Sequence, residues 1–374
     1  MKKIAVNTRL LLHEKLEGIG TFADETLRRI VQEHPDWEFH FIFDRPYHPS
    51  FIYGENVIPH VLFPPTRHPL LWYIWFEWSL PPLLRKINPD LFLSPDGWMP
   101  LSYAGKSLNV IHDLNFEHLP GFIPRHIRAY YHYFFPRFAR KATRLATVSE
   151  YSKMDLVNTY HIDAEKIDVV YNGSSEGFKA ISDVEKQAVK LEVSAGHEYF
   201  FFIGLIHPRK NVARLIKAFD IFKEKSDSSF KLVLAGESKW WTDDIEKAYK
   251  SSKYTSDIIL TGRVSKERLY KLMAAAYALS YVPIFEGFGI PILEAFHCNV
   301  PVISSNTSSI PEVTGDAALL VNPEDEKAIA EAMLKLLEKA TYQDLQEKAK
   351  KQKELYSWSQ TAEKLNASIY KALA

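Results

Sequence analysis

Short apolar runs alternate with amphipathic stretches along the chain, and the whole pattern occurs twice in succession. Runs such as Phe200–Ile203 and Leu91–Ser94 are too short for buried helices and carry no continuous polar face, so they read as strands buried on both sides. Such strands separated by helices predict an α/β fold of two Rossmann-like units with parallel sheets. In the first half, strands are expected at Ile4–Asn7, Phe39–Phe43, Leu91–Ser94, Leu108–Ile111 and Ala146–Val148. A loop holding Gly18 and Gly20 follows the first strand, then a helix from about Thr21 to Glu33. An aromatic helix from Tyr73 to Lys86 is expected to break or bend at Pro81-Pro82. The second run has strands at Phe200–Ile203, Lys231–Leu234, Ile258–Leu260, Ala278–Val282, Val300–Ile303 and Leu319–Val321, with a helix from about Val212 to Lys225.

At 374 residues the chain is long for a single core, so two domains are expected. The turn-rich segment Asn172–Phe178 marks the hinge, dividing a first domain of residues 1–172 from a second of 173–355. A last helix at about 356–374, with Ala362, Leu365, Ile369 and Leu373 in register, is expected to pack back on the first domain.

The chain has 46 basic and 46 acidic residues, a balance that gives no reason to expect nucleic acid as a partner. Cys298 is the sole cysteine, so the chain has no internal disulfide and no cysteine-based zinc site; beside an expected helix end it reads as an inert packed thiol. The N-terminus runs directly into a strand without a signal-peptide pattern, and no apolar run approaches the roughly 20 residues that span a bilayer. A cytoplasmic protein is expected. The aromatic stretch Trp72–Trp78 has two readings: a core helix of the first domain, or a contact with lipid headgroups that would place the protein peripherally at the inner membrane face.

Ligands of doubly wound sheets sit outside the carboxyl ends of the strands, so residues just past each apolar run matter most. The segment Phe285–Glu294 sets two carboxylates, Glu286 and Glu294, on either side of Gly287, Phe288 and Gly289. Pro291 favours a helix start there, with the N–H groups near Ile290 facing the same space as Glu286. Carboxylates accept sugar hydroxyls and helix-start amides accept phosphate oxygens, so the segment suits a ligand bearing both. Gly204 precedes a turn with Arg209 and Lys210, and Asn211 is placed to cap the next helix. Two cations at a helix start could hold a diphosphate and neutralise it as it leaves. His112 falls at the end of an apolar strand, where it faces the expected inter-domain cleft. It is a candidate for polar contact near a reacting centre, or a satisfied half-buried histidine. Asp113, Glu117 and His118 lie nearby, but without a recognised ligand spacing no metal is expected. Gly18-Ile19-Gly20 resembles a phosphate loop that could serve an acceptor, or is merely tight. The strand end near Val264 could edge a nucleotide base, or be an ordinary turn.

With these pieces in order, the sequence resembles the family 4 glycosyltransferases of the GT-B fold over nearly its whole length. The resemblance rests on Glu286–Glu294, on Arg209-Lys210 after Gly204, and on Val110-Ile111-His112-Asp113, together with Thr147–Ser152 and Ser308–Gly315. It implies that Glu286 holds hydroxyls of the donor sugar, Glu294 the ribose, and Arg209 and Lys210 the diphosphate. Amides around Phe288, Gly289 and Ile290 would contact sugar or phosphate, Val264 would lie near the base, and His112 near the reacting carbon. It further implies transfer with retention of configuration, without metal or other cofactor. Double displacement would need a carboxylate nucleophile, and Asp113 beside His112 need not point the same way, so a same-face reaction is expected. The segments His112–Asn115 and Ser308–Val313 look most like mannosyltransferases, which suggests GDP-mannose, with UDP-sugars open. A saccharide or lipid-linked acceptor in polysaccharide biosynthesis is expected. The rival readings are a GT-B sugar-nucleotide epimerase and a non-catalytic sugar-nucleotide-binding protein.

Overall fold

A computed structural model describes every residue except 14, 239 and 240. The described chain forms two compact units, residues 1–173 with 358–374 and residues 174–357.

The first unit has seven parallel strands: β1 (Lys3–Asn7), β2 (Glu38–Phe43), β3 (Val57–Val61), β4 (Leu91–Ser94), β5 (Ser107–Val110), β6 (Arg144–Thr147) and β7 (Ile167–Val169). Their order is β3-β2-β1-β4-β5-β6-β7. Ile4 pairs with Phe39 on one side and Leu91 on the other, so the order reverses between β1 and β4. That reversal is where such sheets open a ligand crevice. β4 and β5 are buried along their length because helices cover both faces. β3 and β7 were not expected from the sequence. β3 is an edge strand that carries Pro59 and exposes Ile58 and Val61, and β7 has only three residues, so neither shows an apolar run.

The helix expected at Thr21 begins at Gly18, so Gly18 and Gly20 form its first turn rather than a loop. Gly20 is required by packing: a Cβ there would lie 2.8 Å from the Leu10 carbonyl oxygen. The aromatic helix is interrupted upstream of its prolines. Pro81 and Pro82 occupy the first turn of a helix at Leu80–Ile87, where a missing N–H costs little. The irregularity is a π-turn at Trp75–Ser79, in which the Leu80 N–H reaches back to the Trp75 carbonyl. Trp75 and Phe76 lie in the core, whereas Tyr73 and Trp78 are exposed, so the stretch divides between the two readings.

The helix Trp358–Leu373 belongs to the first unit. It buries Trp358, Leu365 and Ile369, stacks Trp358 edge-on against Phe22, and pairs Asn366 with His34 at 3.0 Å. Thr361 Oγ1 donates to the Tyr171 carbonyl at 2.6 Å.

The second unit has six parallel strands: β8 (Tyr199–Ile203), β9 (Lys231–Ala235), β10 (Ile258–Gly262), β11 (Ala278–Tyr281), β12 (Val302–Ser305) and β13 (Ala318–Val321). Their order is β10-β9-β8-β11-β12-β13, with the reversal between β8 and β11.

Candidate active site

In the second unit, most of the site residues expected from sequence gather past the carboxyl ends of β8 and β11. Gly204 leaves β8 at φ +141°, and Gly236 leaves β9 at φ +157°. A Cβ on Gly236 would lie 1.8 Å from the Gly204 carbonyl oxygen, so two bare backbones touch there. Pro208–Lys210 forms a single 3-10 turn, capped by His207 Nδ1, which accepts from the Arg209 N–H at 3.1 Å. Asn211 stands at the N-cap position of the helix Val212–Ser226 but does not cap it. Its φ is +64°, and its side-chain amide donates to the carbonyls of Val282 (3.1 Å) and Pro323 (2.7 Å) instead. The Ile284 N–H donates to the Arg209 carbonyl at 2.9 Å. The basic turn is thereby tied to the loop after β11.

That loop carries Glu286. Its Oε1 accepts from Arg209 at 2.7 Å, from Lys210 at 2.5 Å and from the Tyr281 hydroxyl at 2.9 Å. Burial pushes the carboxyl up, but the charges of Arg209 and Lys210 outweigh it and hold the group at about 2. The backbone of Glu286 is held in turn, its N–H by Ser308 Oγ at 3.1 Å and its carbonyl by Ser309 Oγ at 2.9 Å. Gly289 adopts φ +99° and leads into the helix Ile290–His297, with Pro291 in its first turn. A Cβ at Gly289 would approach Ile310 Cδ1 to 2.9 Å. Phe288 is buried edge-on against Tyr356, so its side chain is a packing anchor.

Glu294 sits one turn into that helix, on the face of Ile290. Its carboxylate accepts no hydrogen bond and forms no ion pair among the described residues. Burial alone pushes it up to about 8. Two carboxylates on one segment are thus tuned oppositely, one locked as an anion and one poised near neutrality. Cys298 is buried at the end of the same helix, and burial raises its thiol to about 12.

Val264 is half-buried in the turn after β10. Beside that turn lies a cavity of about 320 Å³, lined by Ile206, Gly236, Trp241, Tyr249, Leu260 and Gly262 among others. Sequence reasoning missed Gly236, Tyr281 and this aromatic wall.

In the first unit, His112 Nε2 lies 2.8 Å from the Pro95 carbonyl. A carbonyl only accepts, so Nε2 carries the proton and Nδ1 the lone pair. Burial lowers the imidazole's pKa, against the opposing pull of the Pro95 bond, Asp113 and Asp96. Phe22 packs edge-on at 4.9 Å. Asp113 accepts from the Asn115 N–H at 2.9 Å, His118 pairs with Asp155 at 2.8 Å, and Glu117 accepts from the Tyr160 hydroxyl at 2.7 Å. These side chains point to separate partners. The sequence also gave no hint of Arg9 and Asp96, an almost fully buried pair at the β1/β4 reversal joined at 2.6 Å. Asp96 also accepts from Asn7 (2.8 Å), Ser94 (3.0 Å) and the Trp98 N–H (3.2 Å), which fixes the turn that presents the Pro95 carbonyl to His112.

Residues 16–175 match the model of "Glycosyltransferase Family 4", and residues 183–352 match that of "Glycosyl transferases group 1". By these two matches the chain is a glycosyltransferase. Among relatives of this glycosyltransferase, the O-antigen chain mannosyltransferase B of Escherichia coli is 28% identical over 293 residues, 78% of this chain and 76% of the relative. The O-antigen chain mannosyltransferase RfbU of Salmonella typhimurium is 29% identical over 275 residues, 73% of this chain and 72% of the relative. The solved sucrose-phosphate synthase of Thermosynechococcus elongatus superposes with a TM-score of 0.79 at 17% identity, covering 100% of this chain and 99% of that one. The fold is GT-B.

Proposed function

We propose that this glycosyltransferase moves mannose from GDP-mannose to a saccharide or lipid-linked acceptor, with retention and without a metal. The observation that carries the donor site is the pairing of opposites after β11: Glu286 held ionised by Arg209, Lys210 and Tyr281, and Glu294 half-buried without a partner among the described residues. A carboxylate with no protein donor is matched by a ribose diol, which brings two. The triad of Arg209, Lys210 and Glu286 carries one net positive charge, suited to a diphosphate whose charge grows as it leaves. In this reading Glu286 turns its second oxygen to the hydroxyls of the donor sugar, and the amides of Phe288, Gly289 and Ile290 meet sugar or phosphate. Gly204 and Gly287 leave room for that approach, and Val264 edges the base.

The bond from the anomeric carbon to the diphosphate oxygen breaks, its electron pair staying on that oxygen. The acceptor hydroxyl attacks the same face, and its proton passes to the departing phosphate oxygen. His112, with Nδ1 unprotonated, is assigned a polar contact with the donor sugar. The names of the two mannosyltransferase relatives support mannose. Residues 173–355 are assigned the donor, and residues 1–172 the acceptor.

A thermal-shift panel of GDP, GDP-mannose, UDP and UDP-sugars, with and without EDTA, tests the reading, because a ligand of the folded state raises the melting temperature. Stabilisation by guanine nucleotides that EDTA leaves unchanged supports it. A preference for UDP species removes mannose, EDTA sensitivity removes metal independence, and no shift with any nucleotide removes the donor site.

A further inference from the structure

The transfer reaction gives Tyr281 no direct role, yet this side chain touches the carboxylate assigned to the donor sugar. Tyr281 is the last residue of β11 and is 1% exposed. Its backbone is fixed from the neighbouring strand, where Ser304 Oγ donates to the Tyr281 carbonyl at 2.6 Å. Its ring lies against Phe202 of β8, with centroids 6.2 Å apart. At the carboxyl end of the sheet its hydroxyl donates to Glu286 Oε1 at 2.9 Å and accepts from Lys210 Nζ at 2.5 Å. Burial, and then the Glu286 charge, push the phenol well above its ordinary value. The hydroxyl therefore stays a donor and does not serve as an acid or base.

Three donors meet at Glu286 Oε1: Arg209, Lys210 and Tyr281. Oε2 accepts from none of the described residues. Such a set saturates the lone pairs of Oε1 and leaves Oε2 for a sugar hydroxyl. The three donors differ in how firmly they can stay. Arg209 and Lys210 sit on flexible stems with 20% and 14% of their side chains exposed. A diphosphate carries more negative charge than one carboxylate and draws both cations towards itself. Tyr281 has a single O–H, a ring locked in the core and no other acceptor among the described residues. Of the three bonds to Glu286, only that from Tyr281 does not compete with the diphosphate.

We propose that Tyr281 is a positioning residue: it holds Oε1 while Arg209 and Lys210 turn to the diphosphate, so that Oε2 keeps one orientation towards the donor sugar. The proposal rests on the assignment of Glu286 to the sugar hydroxyls. Selectivity for the sugar then depends on a side chain that does not touch it.

The test is Tyr281→Phe, which removes the hydroxyl and keeps the ring. Its kcat with GDP-mannose is expected to fall about 30-fold, as loss of one hydrogen bond to a charged group predicts, with GDP affinity held within about twofold. The deciding readout is discrimination, the ratio of kcat/KM for GDP-mannose to that for each GDP-deoxymannose lacking one hydroxyl. At least one ratio should be large in the wild type and about tenfold smaller in the variant. A residue that serves packing alone slows all donors alike, so unchanged ratios overturn the proposal. Tyr277→Phe is the control: at the other end of β11 its hydroxyl donates to the Leu336 carbonyl at 2.7 Å, and its loss should leave every ratio unchanged. An equal fall there overturns the proposal. A crystal structure of the wild type with GDP needs no variant to fold. It should show Arg209 and Lys210 on the diphosphate and the bond from Tyr281 to Glu286 kept; a broken bond overturns the proposal. GDP that leaves both cations untouched removes the donor-site reading and this proposal with it. Both cations on the diphosphate, with discrimination kept in Tyr281→Phe, removes this proposal alone.

Discussion

Glu294 offers a quantitative test of the candidate site through proton linkage. Its carboxyl moves from an ordinary 4.5 to about 8 on folding, because burial disfavours the charge and no partner among the described residues compensates. The folded state therefore binds the proton more tightly than the unfolded chain. That contribution is fully present below about pH 4.5 and is lost as pH rises towards 8. At about 1.4 kcal/mol per pH unit the ceiling is about 5 kcal/mol. The residue is only half-buried, so screening leaves about 2–3 kcal/mol. Glu294→Gln keeps the shape and abolishes the titration. Urea midpoints measured from about pH 5 to about pH 8 should then show the wild type losing about 2–3 kcal/mol more than the variant. Bound GDP-mannose should reverse part of the difference, since ribose hydroxyls favour the ionised carboxylate, and binding should release a proton. A variant whose stability follows the wild-type pH slope, or which binds the nucleotide with unchanged affinity and proton release, would refute the reasoning.

Arg209→Ala and Lys210→Ala should each lower turnover by at least about 100-fold, because each removes positive charge aimed at the departing diphosphate; near-normal turnover in a folded variant would sink the donor assignment. Gly236→Ala drives a Cβ into the Gly204 carbonyl and should cost at least about 3 kcal/mol, read from denaturation midpoints. Asp96→Asn leaves Arg9 charged and buried beside a neutral partner and should cost about 3 kcal/mol. It should also lower kcat while leaving the KM for the donor unchanged, as expected if Asp96 positions His112 through the Pro95 carbonyl.

Much of the architecture was legible because buried parallel strands leave continuous apolar runs, as Phe200–Ile203 and Leu91–Ser94 do. β3 and β7 were not, since an edge strand with a proline and a three-residue strand bury too little to leave a pattern. The helix start at Gly18 was obscured because glycine usually marks a loop, whereas Gly20 is there to admit the Leu10 carbonyl. Asn211 has the right residue type for a cap, but its amide is spent on two carbonyls from distant segments. Loop positions of the site residues followed from placing them past strand ends. Their partners did not: Tyr281 reaches Glu286 only because the loop after the strand folds back on it, and Arg9 meets Asp96 across 87 residues, a separation over which local spacing carries no information.

The helix Trp358–Leu373 has a consequence for how the chain is made. The first unit is discontinuous, and its last segment leaves the ribosome only after all of residues 174–357. The second unit can therefore close while the first still lacks the piece that covers Phe22 and pairs with His34. Translation reverses the usual N-to-C order of domain completion. During that interval the earliest-made sheet lacks the helix that buries Trp358, Leu365 and Ile369 in the finished unit.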